Sequence, residues 1–381
     1  MGWSRFVPRL SWRDLALLRE LPDDRATAVA KALAQAAGDA QLVLRAHSEP
    51  VRRVVLEPEA WRNQTPPSMR SREFRRLGAV VSLPRVLDPA ALRASSATSL
   101  VEYGLAFLNA QTLRGADALL PPYHLASGHG QPDREGELRL AEAVVSLVRS
   151  QGLDTRSGSP KPLLLGIALD AVDSGDPSAG LALARSYAGL DADGYWVQFA
   201  NLTEASNASD ISRCCAFLYA LQELSGKPVF AVDVKNLVWP LLAGGLFGAC
   251  IGIGEREAWS GPAGASNERR SLKPTVVHRE LLRNFVARGQ GAQRAFREYP
   301  CGCGAHEPAE VPARKPDIRR HALRVRLMMA DVASGADAVA AVEGWLARAG
   351  WAAAELGIEQ PRGEAYRAAL AAASWRSVAS G

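Results

Sequence analysis

Cys301, Cys303 and His306 fall within six residues of one another, in the run Cys301-Gly-Cys-Gly-Ala-His306. His321 follows fifteen residues later, near the start of a helical stretch. Two thiolates and two imidazoles make up a tetrahedral zinc donor set. Glycines at 302 and 304 let the backbone fold so that both sulfurs can face one point. His278 competes with His321 for the fourth position. Four protein ligands would leave no open coordination position, so such a zinc is structural.

A second group of reactive side chains stands just past short apolar runs. Pro162 to Leu169 leads into Asp170 and Asp173, and Gly194 to Ala200, which carries Gln198, leads into Asn201. The run from Val229 ends in Asp233 and Lys235. Gly248 to Ile253 ends in Gly254, Glu255 and Arg256, and Ala116 to Leu120 runs into Tyr123 and His124. A carboxylate at such a place serves as nucleophile or as general acid or base. Asp170 and Asp233 are therefore the catalytic candidates. His124, Gln198, Asn201, Lys235, Glu255 and Arg256 are the candidate substrate-binding residues. The alternative is that Asp170, Asp173 and Asp233 only cap the turns that follow them.

These runs are apolar on both faces, as in parallel sheets covered by helices, and α/β folds place their chemistry at the C-terminal ends of such strands. Strand candidates at Gln41 to Ala46, Arg53 to Leu56 and Ala79 to Leu83 precede them. Helices are expected at Pro89 to Leu108, Glu135 to Ser150, Ala179 to Tyr187 and Ile211 to Leu224. The alternation predicts an α/β fold, a (β/α)8 TIM-like barrel over residues 41–260, with an open doubly wound sheet as the rival. Residues 11 to 38 read as helical, giving a helical N-terminal segment, 1–40. The remainder, 261–381, reads as a helical, zinc-stapled C-terminal extension, with helices at Val276 to Arg288, Gly291 to Tyr299, Ile318 to Ala333, Asp337 to Ala349 and Gly363 to Ala373.

Composition sets broad limits. The 381 residues are 48% apolar and 22% charged, as in globular proteins, and the net charge is +5. No run of about 18 uncharged apolar residues is present, so no membrane span is expected. An odd count of five cysteines argues against a disulfide framework, and the N-terminus lacks a signal-peptide core; a cytoplasmic location is expected. Cys214, Cys215 and Cys250 read as core residues. Arginines among aromatics at Arg62–Arg76, and a cluster at Arg269–Lys273, are candidate contacts to tRNA or DNA phosphates.

A barrel followed by a C-x-C-x-x-[C/H] … His knuckle resembles the tRNA-guanine transglycosylase superfamily. The resemblance rests on Cys301, Cys303, His306, His321 and the layout from about 78 to 325. It implies exchange of a guanine for a 7-deazaguanine-type base through an Asp nucleophile, with structural Zn2+. Three departures stand against a full match. His306 replaces the family's third Cys, the Asp-Ser-Gly-Gly-Phe-Gln motif is absent, and Leu246-Phe-Gly-Ala-Cys lacks the Asp of the family's Asp-Met-Phe-Asp-Cys type motif. Asp170 or Asp233 would then take the nucleophile's role, or the exchange chemistry is lost.

Three functions follow. The first is a transglycosylase-like protein acting on or binding nucleic acid. The second is a non-catalytic nucleic-acid-binding or complex-assembling barrel with structural zinc. The third is a barrel enzyme for a phosphorylated small molecule held at Gly252 and Gly254. Whether the chain is an enzyme, and whether it forms a homodimer or joins a partner protein, stays open.

Overall fold

The computed structural model describes residues 3–10, 14, 17–18, 20–21, 28–32, 53–58, 60, 89–126, 131–154, 161–171, 177–253, 274–359 and 363–380. Its centre is a parallel sheet of eight strands: β1 (Phe6–Arg9), β2 (Ala28–Ala32), β3 (Arg53–Glu57), β4 (Leu125–Ala126), β5 (Leu164–Asp170), β6 (Gly194–Ala200), β7 (Val229–Val232) and β8 (Gly248–Gly252). Their order is β3-β2-β1-β8-β7-β6-β5-β4, and every neighbouring pair is parallel. The α/β class read from the sequence therefore stands.

Side chains alternate along each strand, as a period of two requires. Val7, Val55, Leu164, Ala168, Trp196, Ala200, Phe230, Val232 and Cys250 form one buried cluster on the inner face, with Trp3 and Tyr123. Their neighbours Phe6, Val54, Leu56, Leu165, Ile167, Leu169, Val197, Phe199, Ala231, Ala249 and Ile251 form another, under the helices. Both faces are dry, which is why the runs carry no polar alternation. Two glycines on the inner face make room for rings. A Cβ at Gly166 would lie 1.9 Å from the Tyr123 ring, and one at Gly248 2.6 Å from Phe230.

The helices between strands are α1 (Pro89–Ala94), α2 (Ala97–Leu113), α3 (Gln131–Gln151), α4 (Pro177–Ala188), α5 (Ala208–Ser225) and the short α6 (Val238–Ala243). One helix was expected over Pro89 to Leu108. Two form because Ser96 breaks the run, its hydroxyl accepting the Ser99 N–H as an N-cap. Helix α5 starts where the Asn207 side chain accepts the Asp210 N–H at 2.7 Å, and it stops at Gly226, which takes the left-handed conformation (φ 61°).

The C-terminal part holds β9 (Thr275–His278), β10 (Arg283–Val286), α7 (Gln290–Glu298), α8 (Lys315–Ala333), α9 (Ala338–Glu355), α10 (Gly363–Ala371) and α11 (Trp375–Ser380). The expected helix at Val276 to Arg288 is an antiparallel hairpin, with His278 opposite Arg283. Its β-branched Val276 and Val277 suit a strand, and Leu282 makes the turn at φ 49°. In the N-terminal stretch read as helical, Ala28–Ala32 is a strand: pairing with β1 and β3 on both sides overrides the helix preference of alanine. The strand candidates Gln41 to Ala46 and Ala79 to Leu83 lie outside the described residues, as do Arg62–Arg76 and Arg269–Lys273. Among the described residues no helix is long and apolar enough to cross a membrane.

Candidate functional site

The C-terminal ends of the strands carry a buried polar constellation. Arg9 ends β1 and Glu57 ends β3, each two residues beyond an inner-face valine (Val7 and Val55), so both side chains point inward. Arg9 Nη1 donates to Asp233 Oδ2 at 2.5 Å, and Nη2 donates to Glu57 Oε2. Tyr123 Oη donates to Glu57 Oε1 at 2.7 Å, and it also approaches Gln198 Oε1 at 3.4 Å. Gln198 Nε2 closes the ring onto Asp233 Oδ2 at 3.0 Å. The side chains of Glu57 and Asp233 are 1% and 5% exposed, so these two charges are almost out of water. Their desolvation is offset by the guanidinium that serves both and by the hydrogen bonds from Tyr123 and Gln198.

Asp233 reaches this ring through its backbone. It follows Val232, whose side chain already faces inward, so strict alternation would send residue 233 outward. A left-handed φ of 55° breaks the alternation and returns the carboxylate to the inner face. Non-glycine residues hold such conformations only where the surroundings fix them. Two neighbours at the same end share the feature, Asn201 (φ 65°) and Lys235 (φ 48°). No side chain caps the turn at Lys235–Leu237, and Asp233 Oδ2 serves Arg9 and Gln198.

Burial, followed by the nearby Glu57 charge, pushes the Tyr123 phenol well above its usual range, so it stays a proton donor. Burial likewise raises Cys250, which sits near Arg9 on β8, and keeps it a neutral thiol.

The expected site residues distribute unevenly. Asp233 and Gln198 meet in the ring. Asp170 ends β5 and accepts from Asn201 Nδ2 at 3.3 Å, a pair at the rim. Lys235 is half-buried in the turn after β7. His124 is buried on the helix side: Nδ1 meets Glu137 Oε1 at 2.9 Å, and Nε2 meets Tyr103 Oη at 2.8 Å. Since the carboxylate can only accept, Nδ1 carries a proton and donates to Glu137. Glu137 also accepts the His124 backbone N–H at 2.9 Å, which fixes the segment that carries Tyr123. Asp173, Gly254, Glu255 and Arg256 lie outside the described residues; Gly252 is buried, and its carbonyl accepts from Arg326 Nη1.

Sequence reasoning missed Arg9 and Glu57. Glu57 falls one residue past the strand expected at Arg53 to Leu56, and no strand is expected over β1. A proline in a central strand argues against that strand, and Pro8 sits in the middle of β1. The remaining signal was Arg9 and Glu57 each closing an apolar run of two or three residues.

The second constellation is the knuckle. Ligand atoms of Cys301, Cys303, His306 and His321 all lie within 4.8 Å of one another, and all but the half-buried His306 are buried. His321 Nδ1 lies 3.3 Å from Cys303 Sγ, 3.8 Å from Cys301 Sγ and 2.9 Å from His306 Nε2. His321 Nε2 donates to the Val277 carbonyl at 2.6 Å, and His306 Nδ1 donates to the Glu307 carbonyl at 2.7 Å. A carbonyl cannot donate, so each ring carries a proton on its outer nitrogen and presents its other nitrogen to the cluster. Carbonyl partners of this kind orient metal-bound imidazoles. Hydrogen bonding from Cys301, then from His306 and His321, pulls the Cys303 thiol far down, toward thiolate. The Ala305 N–H also points at Cys303 Sγ, at 3.4 Å. The cluster could hold a metal ion. His278 is not part of it: its Nε2 donates to the Tyr299 carbonyl at 3.0 Å.

The helix that carries His321 is anchored at several points. Arg319 pairs with Asp14 at 2.6 Å, and Arg324 bonds Glu20 and the Gly304 carbonyl, each at 2.8 Å. Arg326 reaches the end of β8. Helix α8 thus ties the knuckle to the N-terminal segment and to the sheet.

No protein-family model matches the chain, and no curated protein matches it.

Proposed function

We propose that this chain is a transglycosylase-like protein that acts on or binds nucleic acid, with its parallel sheet closed as a (β/α)8 barrel and Zn2+ held in the knuckle. Closure is supported at the one gap in the strand order. The Asp117 N–H donates to the Val54 carbonyl at 2.9 Å, the Asp117 carboxylate accepts the Val54 N–H at 2.7 Å, and Leu119 bridges Leu163. The segment before β4 therefore spans from β3 to β5.

Zinc is favoured by the donor set and its spacing. Bonds of 2.0–2.3 Å in a tetrahedron give ligand-to-ligand edges of about 3.3–3.8 Å. Both sulfur–nitrogen distances to His321, 3.3 and 3.8 Å, fall on that range, while the nitrogen–nitrogen distance of 2.9 Å is shorter and the widest separation reaches 4.8 Å. Bound there, the ion would supply structural cross-linking of the knuckle, hairpin β9–β10 and α8.

The observation that carries the functional reading is Asp233, turned inward beside Glu57, Gln198, Tyr123 and Arg9 at the strand ends. Arg9 holds the carboxylate ionised for attack on the anomeric carbon of a nucleotide, with departure of the base. Attack by an incoming base on that carbon then restores Asp233 and completes a retaining double displacement. Tyr123 and Glu57 stand where a proton can be passed to the leaving base and recovered. Asp170 and Asn201, with Lys235, Glu255 and Arg256, would bind sugar and phosphate at the rim, and the Arg62–Arg76 and Arg269–Lys273 clusters the flanking phosphates.

The test is denaturing electrophoresis of the protein with tRNA and with DNA. An adduct that survives denaturation and is lost in Asp233→Asn but kept in Asp170→Asn supports the reading. An adduct retained in Asp233→Asn removes Asp233 from the mechanism. One observation favours a second reading, non-catalytic binding: Asp233 Oδ2 already accepts from both Arg9 and Gln198, which lowers its reactivity as a nucleophile. Salt-sensitive nucleic-acid binding with no adduct would select that reading.

A further inference from the structure

Asp233 owes its inward direction to a strained turn. Strand β7 pairs with β8 only as far as Val232 and Cys250, so Asp233 lies just past the ladder. Asp233 (φ 55°) and Lys235 (φ 48°) both hold left-handed backbone, and no side chain caps the turn at Lys235–Leu237. Such conformations persist where the surroundings over-determine them. Two contacts from the C-terminal part of the chain do so here. In the first, the buried Asn236 donates from Nδ2 to the Leu282 carbonyl at 3.3 Å. Leu282 is itself left-handed (φ 49°) and closes the turn of the β9–β10 hairpin, so two strained turns meet at one bond. In the second, Arg326 on α8, 2% exposed, donates from Nη1 to the Gly252 carbonyl at the end of β8. Two residues earlier on that strand, the Cys250 carbonyl accepts the Asp233 N–H at 2.8 Å. Hairpin and helix are joined to each other, since His321 Nε2 donates to the Val277 carbonyl at 2.6 Å. The C-terminal part therefore holds the Asp233 turn from two sides.

We infer that Asn236 and Arg326 are positioning residues for Asp233, through which the C-terminal part of the chain keeps that carboxylate aimed inward; this rests on the reading of Asp233 as nucleophile given above. Asn236 fixes the far end of the turn. Arg326 fixes the end of the strand whose carbonyl receives the Asp233 N–H. The Asp233 carboxylate makes its own bonds to Arg9 and Gln198, so each of the two residues acts on Asp233 through the backbone. Without either contact the turn can relax out of the left-handed region, and ordinary strand alternation then sends the side chain outward. The carboxylate is still present but no longer in line. A misplacement of about 1 Å in a reacting group costs on the order of 100-fold in rate.

The experiment uses the full chain, with tRNA and DNA as probes. The initial rate of covalent adduct formation is followed against nucleic-acid concentration for the parent, Asn236→Leu, Arg326→Met and Arg326→Lys, and the nucleic acid bound at saturation is measured alongside. Asn236→Leu and Arg326→Met should each lower the saturating rate about 10- to 100-fold, with the half-saturating concentration unchanged within about twofold. Arg326→Lys, which can still donate to the Gly252 carbonyl, should keep more of the rate than Arg326→Met. Amide hydrogen exchange at Asp233 should quicken in Asn236→Leu and in Arg326→Met, while exchange in β5 and β6 stays as in the parent. A parent that forms no adduct overturns the nucleophile reading and this inference together. An adduct formed by the parent, at a rate that neither Asn236→Leu nor Arg326→Met changes, overturns the inference alone. A fall in rate matched by an equal fall in the nucleic acid bound at saturation reflects loss of folded protein, and overturns it as well. Arg326→Lys no faster than Arg326→Met removes Arg326 from the assignment.

Discussion

His306 Nε2 and His321 Nδ1 face each other across 2.9 Å, and each ring gives a proton on its far nitrogen to a backbone carbonyl. The two near nitrogens and the sulfurs of Cys301 and Cys303 all lie within 4.8 Å of one another, a donor set suited to one cation. One zinc per chain is therefore expected by elemental mass spectrometry. Cys301→Ser and His321→Ala should each lose it. Loss of a structural metal ranks among the large destabilising changes, roughly 4 kcal/mol or more. For a chain of this length that lowers the melting temperature by about 5 °C or more. Unchanged melting after chelation would remove the structural role.

A comparable dependence holds at the strand ends. Arg9→Met would take from the buried Glu57 and Asp233 the guanidinium they share, at a cost of about 3–5 kcal/mol in urea denaturation. Adding Glu57→Gln and Asp233→Asn to Arg9→Met should recover more than half of that loss, because the two neutral amides carry no charge to strand. Additive losses would mean that Arg9 acts through packing alone.

Much of this site could be read from the residue order, and the reasons are local. Asp233 and Gln198 could be found because they stand in or just after β-branched runs, and strand ends are where side chains converge. The knuckle residues could be found because a C-x-C-x-x-H spacing is self-contained. Arg9 comes from a four-residue strand with Pro8 in its middle, and Glu57 lies one residue past the strand expected at Arg53 to Leu56. The inward turn of Asp233 depends on a left-handed backbone that no propensity predicts for aspartate after valine. The hairpin at Val276 to Arg288 was hidden because Val277, Leu281 and Phe285 also recur at helical spacing; contact of Val277 with His321 decides for the strand.

The inner face sets a size limit that a single methyl group can test. Gly166 stands against the Tyr123 ring, where an added Cβ would lie 1.9 Å from Cδ1. Gly166→Ala should therefore displace Tyr123 and destabilise the chain by about 1–3 kcal/mol, the cost of overpacking. Tyr123→Leu removes the ring and, combined with Gly166→Ala, should cost less than the sum of the two. Double-mutant denaturation measures the coupling, and strict additivity would show that the ring does not meet this position.

Acid should weaken the C-terminal part through His278. Its imidazole is buried against Phe285 and Phe296, and its Nδ1 has no hydrogen-bonding partner among the described residues. Burial pulls its pKa down from 6.5 to about 4, partly offset by the bond to the Tyr299 carbonyl. Between those values the unfolded chain binds a proton that the folded chain refuses. Stability is then full above pH 6.5, declines as the pH falls toward 4, and levels off below. The loss approaches roughly 3.5 kcal/mol, since each pKa step is worth about 1.4 kcal/mol. His278→Phe removes the titrating group while keeping an aromatic ring in the pocket. Its unfolding free energy, followed by urea titration from pH 7 to pH 4, should fall less steeply than that of the parent by up to one proton. Protonation of the zinc ligands contributes equally to both proteins and cancels in the comparison. Parallel curves would place the acid sensitivity elsewhere.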